Sequence, residues 1–436
     1  MSNLVGGISS AGRALHELDG QSLQIDRASG AFLWDETGRR FVDTAMGFGA
    51  TVLGHNHPEV LEAIISTQRK MLMPAFAHRL ETQAAEALTS CTGALDRVIF
   101  VNTGSEAVHL ACRTARAVTG RKRIVKFAAG YDGWFDQVAF GNAGSGDALM
   151  AASAPAMGDA NKAIASAISP SAQQRPEYDG MLLLRYNDFA DVDRLFAEYA
   201  NVAGVLIEPV LANAGCVEPA PGYLKHLADT AHRHGALVIL DEVLMGFRLH
   251  AGLCGHLEKV DADLATVGKA IGSGVAVAAL LGKQAIMTCF EDGRVNRAGT
   301  YSGNPPACAA VIATIALLKQ QDYTALLQQG NTVRATMQTL FNNAGVPVTT
   351  TGYGTVFTLW PSASAPSDYA QAAIAAKPAW TKRLHDEMRR RGALTMPFAF
   401  GRFYLSFAHD EAALGLLMDA CAESAPLMAS AATTSH

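Results

Sequence analysis

Two apolar runs, each ending on one ionisable residue, restrict what this chain can fold into more than any other feature. Leu237-Val238-Ile239-Leu240-Asp241-Glu242-Val243 and Thr266-Val267-Gly268-Lys269-Ala270 carry the continuous aliphatic character of strands covered on both faces. That pattern belongs to parallel sheets. Further strand-like runs at 98–101, 123–127, 181–184, 205–210 and 277–281 alternate with helical stretches up to about residue 283, which predicts one parallel, doubly wound α/β sheet. Ligands gather outside the carboxyl ends of strands in such sheets, so Asp241 and Lys269 are expected to meet in one crevice.

Composition narrows the partners. The chain has 436 residues, 49% of them hydrophobic, enough for a large core in two lobes. The expected division is an N-terminal segment 1–54 belonging to a small domain, a large domain 55–305, and the rest of the small domain, of α+β pattern, at 306–436. Lys+Arg 35 against Asp+Glu 40 gives a net charge of -5 without a basic block, which argues against nucleic acid and acidic membrane surfaces. The seven cysteines are odd in number and form no CxxC pair, as expected of reduced thiols in a cytoplasm. The first ten residues lack a basic stretch followed by an apolar core, and no run approaches 18 apolar residues, so a soluble cytoplasmic protein is expected.

Taken in order, the chain opens with Gly6-Gly7-Ile8-Ser9-Ser10-Ala11-Gly12-Arg13, which reads as a solvated arm. A hairpin is expected at 31–43, and Pro58 is placed to open a helix over 59–70. His55 and His57 read as turn residues, because no third metal ligand lies at helical spacing. After the strand at 98–101, Thr103-Gly104-Ser105 begins a helix that Gly120 stops. Free backbone N–H groups, a hydroxyl and the positive end of the dipole suit a phosphate there, although the same turn is also a good helix cap. Tyr131 lies just past the strand 123–127. It falls beside the phosphate turn if the two strands are neighbours, and either stacks on a flat ring or packs in the core. From 141 to 178 the sequence is poor in pattern, a lid with Gly144-Ser145-Gly146 as its hinge.

A buried acid and a buried lysine at adjoining strand ends are what pyridoxal phosphate requires. The lysine amine condenses with the cofactor's aldehyde, and the carboxylate keeps the pyridine nitrogen protonated so that the ring acts as an electron sink. A structural ion pair with a surface lysine is the plainer alternative.

Five blocks in order decide the matter: Asn102-Thr103-Gly104-Ser105-Glu106-Ala107, Glu208-Pro209-Val210-Leu211-Ala212-Asn213, Asp241-Glu242-Val243-Leu244-Met245-Gly246-Phe247-Arg248, Gly268-Lys269-Ala270-Ile271-Gly272 and Gly299-Thr300-Tyr301-Ser302-Gly303-Asn304-Pro305. Together they resemble the class III aminotransferases of fold type I, most closely the glutamate-1-semialdehyde aminomutase subgroup, over nearly the whole chain. The resemblance implies a large domain with a mixed, mostly parallel sheet plus a smaller α+β domain. It also implies roles: Lys269 carries the cofactor and shuttles the proton, Asp241 pairs with the pyridine nitrogen, Val243 and Tyr131 cover the two ring faces, and Asn213 meets the ring hydroxyl. Gly104 and Ser105 hold the phosphate, joined by Thr300 from the second subunit of a homodimer.

Substrate residues follow from the same likeness. Residues 5–14 resemble the subgroup's N-terminal segment, which makes Arg13 a carboxylate clamp. Phe48 stands where the subgroup has a tryptophan, and Ser145 lies in the lid segment shared with it. Two departures set the chain apart: Phe400-Gly401-Arg402-Phe403-Tyr404 replaces a Phe-Glu-Ala-Gly-Phe run, and Tyr131-Asp132-Gly133 replaces Tyr-His-Gly. Arg402 is either a second, mobile carboxylate binder or a rim salt-bridge residue. The expected activity is ping-pong transfer of an amino group from a carboxylate-bearing amine, with β-amino acids among the candidates, to a 2-oxo acid. The alternatives are the intramolecular amine shift of the aminomutase and a non-catalytic binding protein.

Overall fold

The computed structural model describes residues 3–153 and 180–429. The hairpin expected near the N-terminus is present: β1 (Ile25–Ser29), β2 (Phe32–Asp35) and β3 (Arg40–Asp43) form an antiparallel meander. The central sheet comprises β4 (Arg97–Val101), β5 (Arg123–Phe127), β6 (Met181–Leu184), β7 (Val202–Ile207), β8 (Leu237–Asp241), β9 (Leu264–Val267) and β10 (Ala278–Gly282), in the order β4-β10-β9-β8-β7-β5-β6. Every residue of β7 and of β10 is buried, as the uninterrupted apolar runs require. Side chains alternate between two cores. Val238 and Leu240 of β8 join Val205 and Ile207 of β7 on one face, whereas Ile239, Ala203 and Leu206 join Val108, Ala111 and Ala115 of the helix Gly104–Thr119 on the other.

The sheet is mixed and mostly parallel, as the resemblance implies, and not wholly parallel as the apolar runs alone predict, because β10 runs antiparallel to both β9 and β4. Only residues 268–277 separate β9 from β10, fewer than a parallel crossover needs. Nor are β4 and β5 neighbours: β10, β9, β8 and β7 lie between them. The helix Gly104–Thr119 makes the long connection, packing against β4, β10, β9, β8 and β7 as it crosses the sheet.

The C-terminal region holds a second sheet, β11 (Thr349–Tyr353), β12 (Val356–Trp360) and β14 (Phe403–Tyr404), while β13 (Ala393–Leu394) pairs in parallel with β3. Val333, Phe341, Phe357, Leu384 and Leu417 share its core. The helix Glu411–Ala429 is long and apolar enough to cross a membrane by length and composition, but Ala413, Leu414, Leu417 and Cys421 on it are buried in this core.

Candidate active site

Asp241 is the last residue of β8 and sits opposite Thr266 of β9. The Thr266 hydroxyl and the Val243 N–H both donate to Asp241 Oδ1, each at 3.0 Å, so Oδ2 has no protein donor among the described residues. Lys269 opens the 3₁₀ turn Lys269–Gly272 just beyond β9, at φ 42°. A lysine in the left-handed region is strained by about 1 kcal/mol, a cost sustained here by the packed turn around it. Both residues line one cavity of about 390 Å³, within the range of small-ligand sites.

Burial dominates the electrostatics. It pushes the Asp241 carboxyl up to about 7, helped by the charge of Asp132, and pulls the Lys269 ammonium down to about 8 against the attraction of Asp241 and Glu208. A carboxylate with one free oxygen and a raised pKa suits a cationic partner.

The phosphate-ready turn has the expected form. Thr103 Oγ1 accepts the Glu106 N–H at 3.3 Å, and Glu106 Oε2 accepts the N–H groups of Asn102 and Thr103 at 2.7 and 3.1 Å. That capping box leaves the N–H groups of Gly104 and Ser105 without partners among the described residues. A Cβ on Gly104 would lie 2.9 Å from Val243 Cγ1, and one on Gly133 would lie 2.8 Å from Ser105 Oγ. Four residues from three loops therefore converge on a cradle that side chains would fill. Unpartnered N–H groups at one end, the free oxygen of Asp241 at the other and Val243 between them match a flat, phosphorylated pyridine.

Tyr131 reaches this cradle although β5 is remote from β4. The loop after β5 returns across the carboxyl ends of the strands: Tyr131 N–H donates to Glu208 Oε1 at 2.8 Å, and Trp134 N–H donates to Ser105 Oγ at 3.3 Å. Glu208, buried and pushed up to about 8 chiefly by desolvation, is a site residue to which the sequence reading gave no role. Asp132 also lines the cavity. Its signal was the departure from Tyr-His-Gly.

Of the other candidates, Asn213 lines the cavity from the turn Ala212–Ala214. Arg402 is buried: its Nε donates to Tyr404 Oη at 2.8 Å and its Nη1 to the Ala212 carbonyl at 3.1 Å, with no carboxylate in ion-pair range among the described residues. It is therefore not a rim salt-bridge residue. Arg402, Arg13, Phe48, Ser145 and Thr300 are not among the residues lining the cavity of this chain. Arg13 ends the exposed turn Ala11–Arg13, and a Cβ on Gly12 would lie 3.8 Å from Phe48 Cζ, so arm and Phe48 adjoin. The Ser145 hydroxyl donates to the Asn142 carbonyl at 2.7 Å and accepts the Ala148 N–H at 3.3 Å, capping the helix Gly146–Ser153. Most of the expected lid, 154–179, lies outside the described residues. Thr300 is exposed. His55 Nε2 lies 2.8 Å from Asp43 Oδ2, which ties the turn to β3.

A mixed seven-stranded sheet with a lysine and an aspartate at adjoining strand ends defines the pyridoxal-phosphate-dependent transferases of fold type I. The sequence model of the class III aminotransferases matches residues 16–358, and the chain belongs to that family. It is a pyridoxal-phosphate-dependent transaminase. Among solved structures, it is similar to an omega-transaminase from Sphaerobacter thermophilus, with 26% identity, TM-score 0.86, and 98% of this chain and 95% of that one covered. It is similar to a β-phenylalanine aminotransferase from Variovorax paradoxus, with 26% identity, TM-score 0.82 and coverage of 97% and 90%. A glutamate-1-semialdehyde aminomutase from Pseudomonas aeruginosa PAO1, at 21% identity, TM-score 0.80 and coverage of 93% and 88%, shares the fold.

Proposed function

We propose that this transaminase moves an amino group from a carboxylate-bearing amine, β-amino acids included, to a 2-oxo acid in two half-reactions at one site. The observation that carries the substrate class is Arg402, a buried guanidinium with no acidic partner, resting on the Ala212 carbonyl next to Asn213 and close enough to lower the Lys269 pKa. A buried cation without a counter-charge is costly, and a substrate carboxylate supplies what is missing. The similar β-phenylalanine aminotransferase agrees with a β-amino acid donor.

When bound, pyridoxal phosphate supplies an aldehyde for capture of the amine and a ring that delocalises the electrons left by a departing proton. Lys269 would hold the cofactor, and its amine would carry that proton; its lowered pKa keeps a share of the amine neutral near pH 8. Asp241 holds the pyridine nitrogen, Gly104 and Ser105 bind the phosphate, Val243 and Tyr131 enclose the ring, and Asn213 meets the ring hydroxyl. Arg13 and Arg402 divide the recognition of carboxylates between donor and acceptor.

The protein acts as a homodimer. Tyr131 and Trp134, on the cavity wall, stay 44% and 74% exposed in one chain, and Tyr301 beside Thr300 is 64% exposed, so a second copy bringing Thr300 completes the enclosure. A cytoplasmic setting suits the cysteines, all free.

The test is a donor panel of α-, β- and ω-amino acids and simple amines, with and without a 2-oxo acid. Turnover of carboxylated donors that stops without acceptor is the expected result. Conversion of glutamate-1-semialdehyde with no acceptor would replace this reading by the aminomutase, and a cofactor absorbance unmoved by any donor would overturn both.

A further inference from the structure

Lys126 of β5 has no surface exposed, and its Nζ is ringed by the carbonyl oxygens of Gly130, Val138 and Phe140 at 3.2, 2.8 and 2.7 Å, by Asn142 Oδ1 at 3.3 Å and by Asp132 Oδ2 at 3.3 Å. Five oxygens compete for three N–H bonds. Asp132 is among those left over: Oδ2 is buried and paired in charge, yet makes no hydrogen bond. Its carboxylate, only 2% exposed, lines the same cavity as Asp241 and Glu208. A Cβ placed on Gly130 would fall 3.5 Å from Asp132 Oδ2 and 3.7 Å from Glu208 Oε1, so these two acids flank one point of the loop that carries Tyr131.

This arrangement does more than fasten a loop. Four neutral oxygens already fill the hydrogen-bonding capacity of Lys126, so Asp132 serves it as a counter-charge while also lining the cavity. Three buried carboxylates, Asp132, Glu208 and Asp241, share this cavity; Lys126 pairs with Asp132, Lys269 attracts Asp241 and Glu208, and the Arg402 guanidinium acts on Glu208, so Asp132 brings its charge to the Asp241 end.

We propose that Asp132 is a positioning residue of the reaction, which, held by Lys126, places a second carboxylate in the cavity with Asp241 and so keeps the cofactor's pyridine nitrogen protonated. This rests on Asp241 as the partner of that nitrogen. Desolvation raises the Asp132 pKa while Lys126 lowers it, and the Asp132 charge is the largest electrostatic influence on Asp241, as expected of acids sharing one low-dielectric pocket. The charged or titratable groups facing the pair are Lys126 from β5, Glu208 after β7, Lys269 after β9, Tyr131 from the loop and Cys112 from the helix Gly104–Thr119.

The holoenzyme carrying cofactor labelled with ¹⁵N in the ring gives the readout, since the nitrogen's chemical shift reports its protonation as pH is raised. Removing a nearby anion makes a protonated ring nitrogen give up its proton at lower pH. Asp132→Asn should move the midpoint for loss of the ring proton down by about one pH unit, a tenfold weaker hold on the proton, and Asp132→Glu should restore it. Asp132→Ser, which leaves room for a water beside Lys126, should give the same shift and guards against misfolding of the Asn variant. Unchanged midpoints in Asn and Ser variants that bind cofactor normally would reduce Asp132 to a loop clamp and overturn the proposal. In a parallel Asp241→Asn sample, an unaltered nitrogen signal would remove the assignment of Asp241 and the proposal with it, whereas a large change there beside none at position 132 would defeat the proposal alone.

Discussion

The strand-end crevice and the N-terminal arm are built to different standards. Asp241, Glu208 and Lys269 stand at the ends of a sheet covered on both faces, where Asp241 is aimed by Thr266 and Val243. Arg13 ends a three-residue turn with every residue exposed, followed three residues on by the His16–Asp386 contact at 2.6 Å. A cofactor common to every turnover profits from a rigid mount, whereas residues that must admit a donor and then an acceptor profit from one that gives.

The comparison can be broken at its strong end first. Lys269→Ala should reduce transamination more than about a thousandfold in steady-state assays while the melting temperature of the cofactor-free protein is kept or raised, because a buried amine is removed. Retained activity would place the chemistry elsewhere. Gly104→Ala pushes a methyl to 2.9 Å from Val243 and into the cradle; cofactor affinity, by absorbance titration, should fall about tenfold, and Val243→Ala in the same chain should recover part of it. At the arm the effects are smaller and selective. Arg13→Ala should raise KM for carboxylated donors by about fivefold to tenfold and leave simple amines and the melting temperature alone. Equal losses for both donor types would return Arg13 to a solvated arm.

The smallest signal is in the stability of the cofactor-free protein against pH. Asp241 and Glu242, both pushed up to about 7, and Glu208, pushed up to about 8, bind protons more tightly folded than unfolded. Their contribution is present at low pH and is lost as pH rises from the ordinary carboxyl range through about 7 to 8. Lys269, pulled down to about 8, is the opposite case, and its destabilising effect fades as pH rises from about 8 toward its ordinary value. Calorimetry should therefore show a shallow minimum in melting temperature near pH 8, a few degrees deep, that disappears on adding pyridoxal phosphate. A monotonic profile across that range would contradict the burial of these four groups.

The parts readable from sequence were those with local causes. The strands carrying Asp241 and Lys269 announced themselves by unbroken apolar runs, and the helix at Gly104 by its Thr-Gly-Ser turn with Glu106 three positions past the cap. Strand order left no such trace. That β10 inserts between β4 and β9 depends on pairings made by residues far apart in sequence, and the approach of Tyr131 to the phosphate turn, conditional on neighbouring strands in the sequence, is made by a returning loop instead. Nothing local marked Lys126 as a site-facing residue, because its burial comes from the covering of both faces of β5. The sequence left Arg402 between a carboxylate binder and a rim salt-bridge residue, and only its burial against Tyr404 removes the second reading.

The wide separation of β4 from β5 bears on how the protein matures. The four strands between them are all synthesised later, within residues 202–282, so Ser105 and Tyr131 are drawn together only after those strands insert. Such nonlocal assembly is slow, and a nascent chain can have its first two sheet strands formed with nothing yet able to grip vitamin B6. Acquisition of the yellow colour of the holoprotein during refolding should thus trail the recovery of helical circular dichroism, making cofactor uptake a late checkpoint of a finished sheet.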